Sequence, residues 1–233
     1  MSEETPGTAS STTPDTPEAA PVAGGRLPGP LIVAAVFGVM ISMTLGAIVA
    51  PTLAMRGDQA ELEDYGVMPS FEMLDHTGKR MTERNLRDRV IIANFIFTRC
   101  NTICPVFTAK MRRIQDDAED LAEELKFVSF TVDPAHDTPE VLAEYAEAHR
   151  ADPGRWRFLT GDIDMVKFVG EQGFKLALEQ QGYQSDGAPN FVHAEHFVLI
   201  DREGHIRGYY NSNEAKRIQR MLRDARRLVI RSR

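Results

Sequence analysis

The sequence is short of several things, and each shortage excludes something. Only two cysteines occur among 233 residues, so a scaffold built on several disulfides is excluded. There is no basic excess. With 27 basic and 34 acidic side chains the formal net charge is −7, which argues against a general nucleic-acid binder. Residues 1–30 contain no aromatic residue and few large aliphatics. Residues 31–55 contain no charge of either sign. No C-x-x-C motif and no internal repeat is present.

What is present suits a globular chain. Hydrophobic residues make up 42% and charged residues 26%, enough to build a packed core. The exception is the beginning. Residues 1–30 are rich in Ser, Thr, Pro, Ala and Gly, and cannot bury enough apolar surface to offset their ordering entropy. They are expected to form a disordered tail. Its charges are mostly acidic, with Arg26 the lone base, unlike the Arg-rich, acid-poor composition of a transit peptide.

Residues 31–55, LIVAAVFGVMISMTLGAIVAPTLAM, form an uncharged stretch. A bilayer core needs about 20 helical residues, so this length predicts one transmembrane helix. A cleaved signal peptide would have a shorter apolar region and a clear small-x-small site. Arg26 before the span and Arg56 after it nearly cancel, and leave the orientation open. Residues 56–68 read as a polar, acidic linker, and residues 69–233 as one domain.

Within that domain, PSFEMLDHTGKRMT reads as two short strands around a turn at Gly78. VIIANFIF, residues 90–97, is apolar throughout and reads as a central strand covered on both faces. Phe107, Met111, Ile114, Ala118, Leu121 and Leu125 recur at steps of four and three, predicting a helix with one buried stripe. KFVSFTV, residues 126–132, reads as a second buried strand. Residues 138–149 read as a helix entered through Thr138 and Pro139. WRFLT is a short strand, followed by a helix that Asp162 can cap. HFVLID and HIRGYYN read as a hairpin around Arg202, Glu203 and Gly204, and residues 213–230 as a last helix. Strands that alternate with helices and end in a hairpin predict a three-layer α/β fold. Residues 213–233 carry eight basic and two acidic side chains on near-helical apolar spacing. A domain-covering helix with a solvated basic face explains this; contact with anionic headgroups or an acidic protein surface is the sharper alternative.

The chemistry centres on FIFTRCNTICPVF. Cys100 falls just past a strand end, and Cys104 lies near a helix start. A helix N-terminus offers orphan amide donors and partial positive charge, an environment expected to lower a thiol pKa. Four-residue spacing puts both sulfurs on one side of a helical turn. The spacing is C-x-x-x-C rather than the C-x-x-C of thioredoxin-type oxidoreductases. A peroxiredoxin-type P-x-x-x-T-x-x-C would need proline where Ala93 stands and threonine where Phe97 stands. The extra residue opens the pair for a metal ion, and soft thiolates joined by an imidazole suit copper or zinc. Of the six histidines, His193 precedes the late apolar strand, in a loop expected near the end of the first central strand. His196 begins that strand. His136 lies in TVDPAHDTP, at a strand C-terminal end where α/β proteins gather ligands. His76, His149 and His205 read as turn, helix-end and hairpin residues.

Several of these pieces together resemble the Sco/SenC family of thioredoxin-like copper chaperones for cytochrome c oxidase assembly. They are the PSFEMLDHTGK entry, FTRCNTICP, TVDPAHDTPEVLAEYA, and His193 seven residues before Ile200 in the VLID strand. The resemblance spans residues 69–210. It implies a thioredoxin-like fold with a central mixed sheet, and one copper ion held by Cys100, Cys104 and His193. It implies delivery of copper to, or reduction of the cysteines of, the binuclear copper site in an oxidase subunit, and so leaves open whether the chain is an enzyme. The implied place is a bacterial inner (cell) membrane, crossed once, with the soluble domain facing the periplasm or cell exterior. Asp133 and Asp137 match the family's acidic loop, where they serve local support or partner recognition, or else only loop and helix-entry capping. The chain departs from the pattern at Asn101, where proline is usual, and at Val192, where aspartate is usual. A thiol-disulfide oxidoreductase with no metal role is the main alternative. A structural zinc site with His196 as fourth ligand is a weaker one.

Overall fold

The computed structural model describes residues 30, 34, 37–44, 47, 62–100, 104–176, 180–183, 189–191 and 195–231. The chain divides into two units, Met1–Ala60 and Glu61–Arg233. In the first, every described residue is helical, and the Thr44 hydroxyl donates back to the carbonyls of Met40 and Ile41 at 2.9 and 3.0 Å. Phe37, Val39, Met40, Ile41 and Met43 are exposed there. Among the described residues no helix is long and apolar enough to cross a membrane. Nearly all of the expected tail, and much of the expected span, lie outside the described residues.

The second unit is built on a seven-stranded mixed sheet. Its strands are β1 (Glu72–Asp75), β2 (Arg80–Thr82), β3 (Val90–Ile96), β4 (Leu125–Thr131), β5 (Trp156–Thr160), β8 (His196–Ile200) and β9 (Ile206–Asn211). Their order is β2-β1-β5-β4-β3-β8-β9. β3, β4 and β5 are parallel; β1 and β8 join their two sides antiparallel. The parallel strands are linked by helices, α1 (Cys104–Asp117) and α2 (Pro139–Ala148). Then come α3 (Ile163–Lys167), continued by a π-helical turn over Phe168–Gly173, and α4 (Ala215–Arg231). A separate two-stranded ribbon, β6 (Gln180–Tyr183) with β7 (Pro189–Phe191), precedes β8.

The three layers follow from strand alternation. Ile91, Ala93 and Phe95 of β3 face one core with Phe130, Val166, Val169 and Phe174. Val90, Ile92 and Ile96 face the other, with Phe107, Met111, Ile114, Leu142, Met221 and Val229 of the helices. Every residue of β3 is buried, as expected for a strand covered on both faces. The last helix buries Met221, Leu222, Ala225 and Val229 and turns Lys216, Arg217, Arg220 and Arg223 to solvent, so the domain-covering reading holds.

Two expectations are corrected. The stripe from Phe107 does not remain helical to Leu125. The helix stops at Asp117, a 3-10 turn covers Glu119–Leu121, and Leu125 already belongs to β4. The cause is Arg155, which is 4% exposed and donates to the carbonyls of Gln115 (3.2 Å) and Ala118 (2.8 Å). It thereby satisfies orphan carbonyls at the helix end and complements the dipole there. Leu125 is buried all the same, so it extended the apolar spacing without extending the helix. Second, the folded body begins before Pro69. The Tyr65 and Met68 amides donate to the carbonyls of Ile206 (3.0 Å) and Gly204 (2.8 Å).

One polar chain crosses the centre of the sheet. The Ser129 hydroxyl donates to Asn94 Oδ1 at 2.6 Å and accepts from Trp156 Nε1 at 2.9 Å. All three residues are fully buried. Replacing Ser129 with alanine strands the indole N–H and the Asn94 oxygen, and is expected to lower stability by about 1–3 kcal/mol. Urea denaturation checks this: an unchanged midpoint would show the network contributes nothing.

Candidate metal centre

The two cysteines sit where the sheet's central strand gives way to a helix. β3 ends at Ile96, whose carbonyl accepts the Val132 amide at 2.8 Å and so carries the β3–β4 pairing one step further. Thr98 and Arg99 make the turn, and the Cys100 amide points back to the Phe97 carbonyl at 3.4 Å. Residues 101–103, including Asn101, lie outside the described residues. α1 then starts at Cys104, with Pro105 at a first-turn position where no amide is needed. Cys100 is 2% and Cys104 3% exposed, both as thiols.

The Cys104 amide donates to the Cys100 sulfur at 3.4 Å. The positive end of α1 is therefore aimed at Cys100. Cys104 does not gain from it as expected. The adjoining Cys100 sulfur first, and burial second, push the Cys104 thiol far above its ordinary value. A hydrogen bond with the Phe97 backbone opposes this and is outweighed. The expectation that the helix terminus lowers the pKa is corrected at Cys104: a second buried sulfur in contact outweighs a helix end.

A carboxylate pins the turn from below. Asp137 is fully buried. It accepts the Thr98 amide at 3.1 Å, the Thr98 hydroxyl and the Thr131 hydroxyl, and lies 3.0 Å from His136 Nδ1. Asp133 accepts a two-nitrogen contact from Arg99, at 3.0 and 2.7 Å. The two aspartates thus tie the residues before Cys100 to the loop after β4. Capping falls to another residue: Thr138 receives the Val141 amide at 3.4 Å. Local support is the reading the geometry bears out. On the helix side the Thr108 hydroxyl meets the Tyr145 hydroxyl at 2.7 Å, joining α1 to α2, and burial raises the Tyr145 pKa. Phe107 packs against Phe197 with the rings tilted by 30° and centroids 4.7 Å apart, joining α1 to β8.

His193 and Val192 lie outside the described residues. Residue 195 and β8 are described. β8 runs antiparallel to β3, with Ile91 opposite Ile200 and Ala93 opposite Val198, so β8 begins at the end of the sheet where β3 finishes. His196 opens β8 opposite Asn211. His76 accepts the Phe158 amide at 3.2 Å, and burial together with Arg157 holds its pKa below the usual value. His149 ends α2, and His205 Nδ1 meets Asp64 at 2.8 Å in the β8–β9 hairpin. Among the described residues one group is compact enough to surround an ion, Asp133, His136 and Asp137, whose ligand atoms lie within 4.8 Å of one another. The supports Thr98, Arg99, Thr131 and Tyr145 went unnoticed in the sequence, as did the β6–β7 ribbon. The Ser185–Asp186–Gly187 run between the two strands was the available signal for the ribbon.

A family model described as SCO1/SenC matches residues 59–229. The chain is 30% identical over 178 residues to the SCO1 protein homolog of Bacillus subtilis (strain 168), covering 76% of this chain and 90% of that one. It is similar to the solved structure of BsSco, described as having a disulfide switch and as a member of the Sco family of cytochrome c oxidase assembly proteins. That likeness has a TM-score of 0.64 and 26% identity, over 72% of this chain and 96% of BsSco. Against Arabidopsis thaliana ScoI with copper bound, the TM-score is 0.60 at 25% identity, over 72% of this chain and all of that one (100%).

Proposed function

Because this chain belongs to the SCO1/SenC family, we propose that it is a membrane-anchored copper-binding protein that serves cytochrome c oxidase assembly, with Cys100, Cys104 and His193 as its copper ligands. The observation that carries this reading is the contact of the Cys104 amide with the Cys100 sulfur, 3.4 Å, at the end of β3. It holds two buried sulfurs together at the end of the sheet where β8, three residues after His193, begins. Two sulfurs and an imidazole make a soft donor set suited to Cu(I). Copper is cargo here. A low-coordinate site lets a partner's thiolates replace the ligands one at a time. The uncharged stretch 31–55, with exposed apolar residues on its described helical part, supports a single-pass anchor. The soluble domain then faces the outside of a bacterial cell membrane.

The same pair supports reduction of an oxidised copper site, a reading favoured by the disulfide switch described for BsSco. The Cys100 thiolate attacks one sulfur of a partner disulfide. A Cys100–partner disulfide forms and one partner thiolate leaves. Cys104 then attacks the Cys100 sulfur, closing a Cys100–Cys104 disulfide and releasing the second partner thiolate. Two electrons pass to the partner, and the protons from the two cysteines end on its thiols.

His193→Ala separates the two readings. In the anaerobically reduced full-length protein it is expected to weaken Cu(I) binding by more than about tenfold while leaving thiol-disulfide exchange in place. Chelator competition reads the first effect, and reduction of a model disulfide the second. If His193→Ala holds copper as tightly as the parent, the imidazole is not a ligand.

A further inference from the structure

At the opposite end of β3 and β4 from the cysteines lies a cleft of about 360 Å³. Five cations line it, Arg87, Arg89, Lys126, Arg155 and Arg157, against one carboxylate, Asp88. This is a marked local reversal in a chain of net charge −7. Arg157 has a distant acidic partner, Asp75 at 3.7 Å, and Arg155 is paired with Glu119 at 2.9 Å. The other three end on carbonyl oxygens: Arg87 on Glu203, Arg89 on Asp88 at 2.8 Å, and Lys126 on Ala122 at 2.9 Å. Among the described residues no carboxylate oxygen lies within 4 Å of the charged nitrogens of these three. In addition, Arg155 Nε is buried without a hydrogen-bond partner. Like charges gathered in a cleft repel one another and focus a positive potential into it. A bound anion relieves this repulsion, and guanidinium forks match phosphate oxygens in particular.

We propose that this cleft is a binding site for a phosphate-bearing anion, separate from the dithiol centre. Two sources share that chemistry, a soluble phosphate compound and the headgroup of an anionic phospholipid. The position of the cleft bears on the second. Arg87 and Asp88 hold the β8–β9 turn, Asp88 through its amide to the Arg202 carbonyl at 3.0 Å. Residues 66–68, through which the chain enters the domain from its N-terminal side, pair with the same hairpin. The cleft therefore lies at the same pole of the domain as residues 66–68.

The test uses full-length protein in a neutral detergent and isothermal titration calorimetry. The two probes are inorganic pyrophosphate and glycerophosphoglycerol, the water-soluble headgroup of an anionic phospholipid. At least one is expected to bind at one per chain, and Arg89→Gln with Lys126→Gln is expected to weaken that binding about tenfold or more. Copper binding should be unchanged in the same variant. Binding of glycerophosphoglycerol assigns the lipid source; binding of pyrophosphate alone assigns a soluble one. If the double variant folds poorly, Arg89→Gln alone suffices, because its side chain holds only the Asp88 carbonyl. Failure of both probes to bind below about 10 mM, or equal binding by the variant, overturns the proposal.

Discussion

Serine at either position 100 or 104 is expected to abolish tight copper binding. Removing a neighbour that merely orients a metal ligand costs roughly 10–100-fold in affinity, so removing a ligand outright should cost more than about 100-fold. The two substitutions are not equivalent in other respects. Cys100 receives the first amide of α1, so serine there keeps an acceptor for that donor. Cys104 is the thiol that the sulfur beside it, and burial, hold protonated, so Cys104→Ser replaces one protonated neighbour of the Cys100 sulfur with another. Both positions are nearly fully buried, and a hydroxyl in place of a thiol should cost about 1–3 kcal/mol of stability. That loss is far smaller than the loss in metal affinity, so the two can be separated. Chelator competition under anaerobic reducing conditions measures the affinity, and urea denaturation of the copper-free protein measures the fold. A folded Cys100→Ser or Cys104→Ser protein that still holds Cu(I) like the parent would remove the dithiol from the site altogether.

Much of this arrangement was legible in the sequence because strand period and helix caps are local. β3 was expected over residues 90–97 and runs over Val90–Ile96. Thr138 with Pro139, and Asp162, mark the helices they begin. What failed depended on distant partners. The end of α1 is set by Arg155, some forty residues further on, and apolar spacing carries no trace of it. The ribbon β6–β7 is short and irregular in register, so alternation over so few residues is a weak signal. At the site, the placement of both cysteines was readable from a strand end followed by a helix start. The direction of the Cys104 shift was not, because it depends on a sulfur in contact and on burial, which only packing creates. The basic cleft was invisible for a similar reason: Arg87, Lys126 and Arg155 come from three separate segments brought together by the parallel strands.

Asp137→Ala should be the most destabilising single change near the cysteines. The carboxylate is fully buried and accepts three donors, the Thr98 amide and the hydroxyls of Thr98 and Thr131. Alanine leaves the Thr98 amide and the Thr131 hydroxyl without this acceptor and the Thr98 hydroxyl with only His136 Nδ1, at 3.3 Å, and breaking a buried charged network of this kind costs about 3–5 kcal/mol. Asp137→Asn keeps the shape and one acceptor oxygen, and should cost about 1–2 kcal/mol, leaving the protein folded. That second variant asks what the carboxylate does for the metal. Thr98 lies two residues before Cys100, and the turn between them is anchored at its amide and hydroxyl by Asp137. If Asp137 positions the Cys100 sulfur, the folded Asp137→Asn protein should bind Cu(I) about 10–100-fold more weakly, the range for groups that orient a ligand without touching the metal. Its thiols should also react faster with an alkylating reagent, because a loosened turn exposes a sulfur that is now only 2% accessible. A purely structural role predicts a lower urea midpoint with parental copper affinity and parental alkylation rates, and that outcome would confine Asp137 to holding the β4–α2 loop in place.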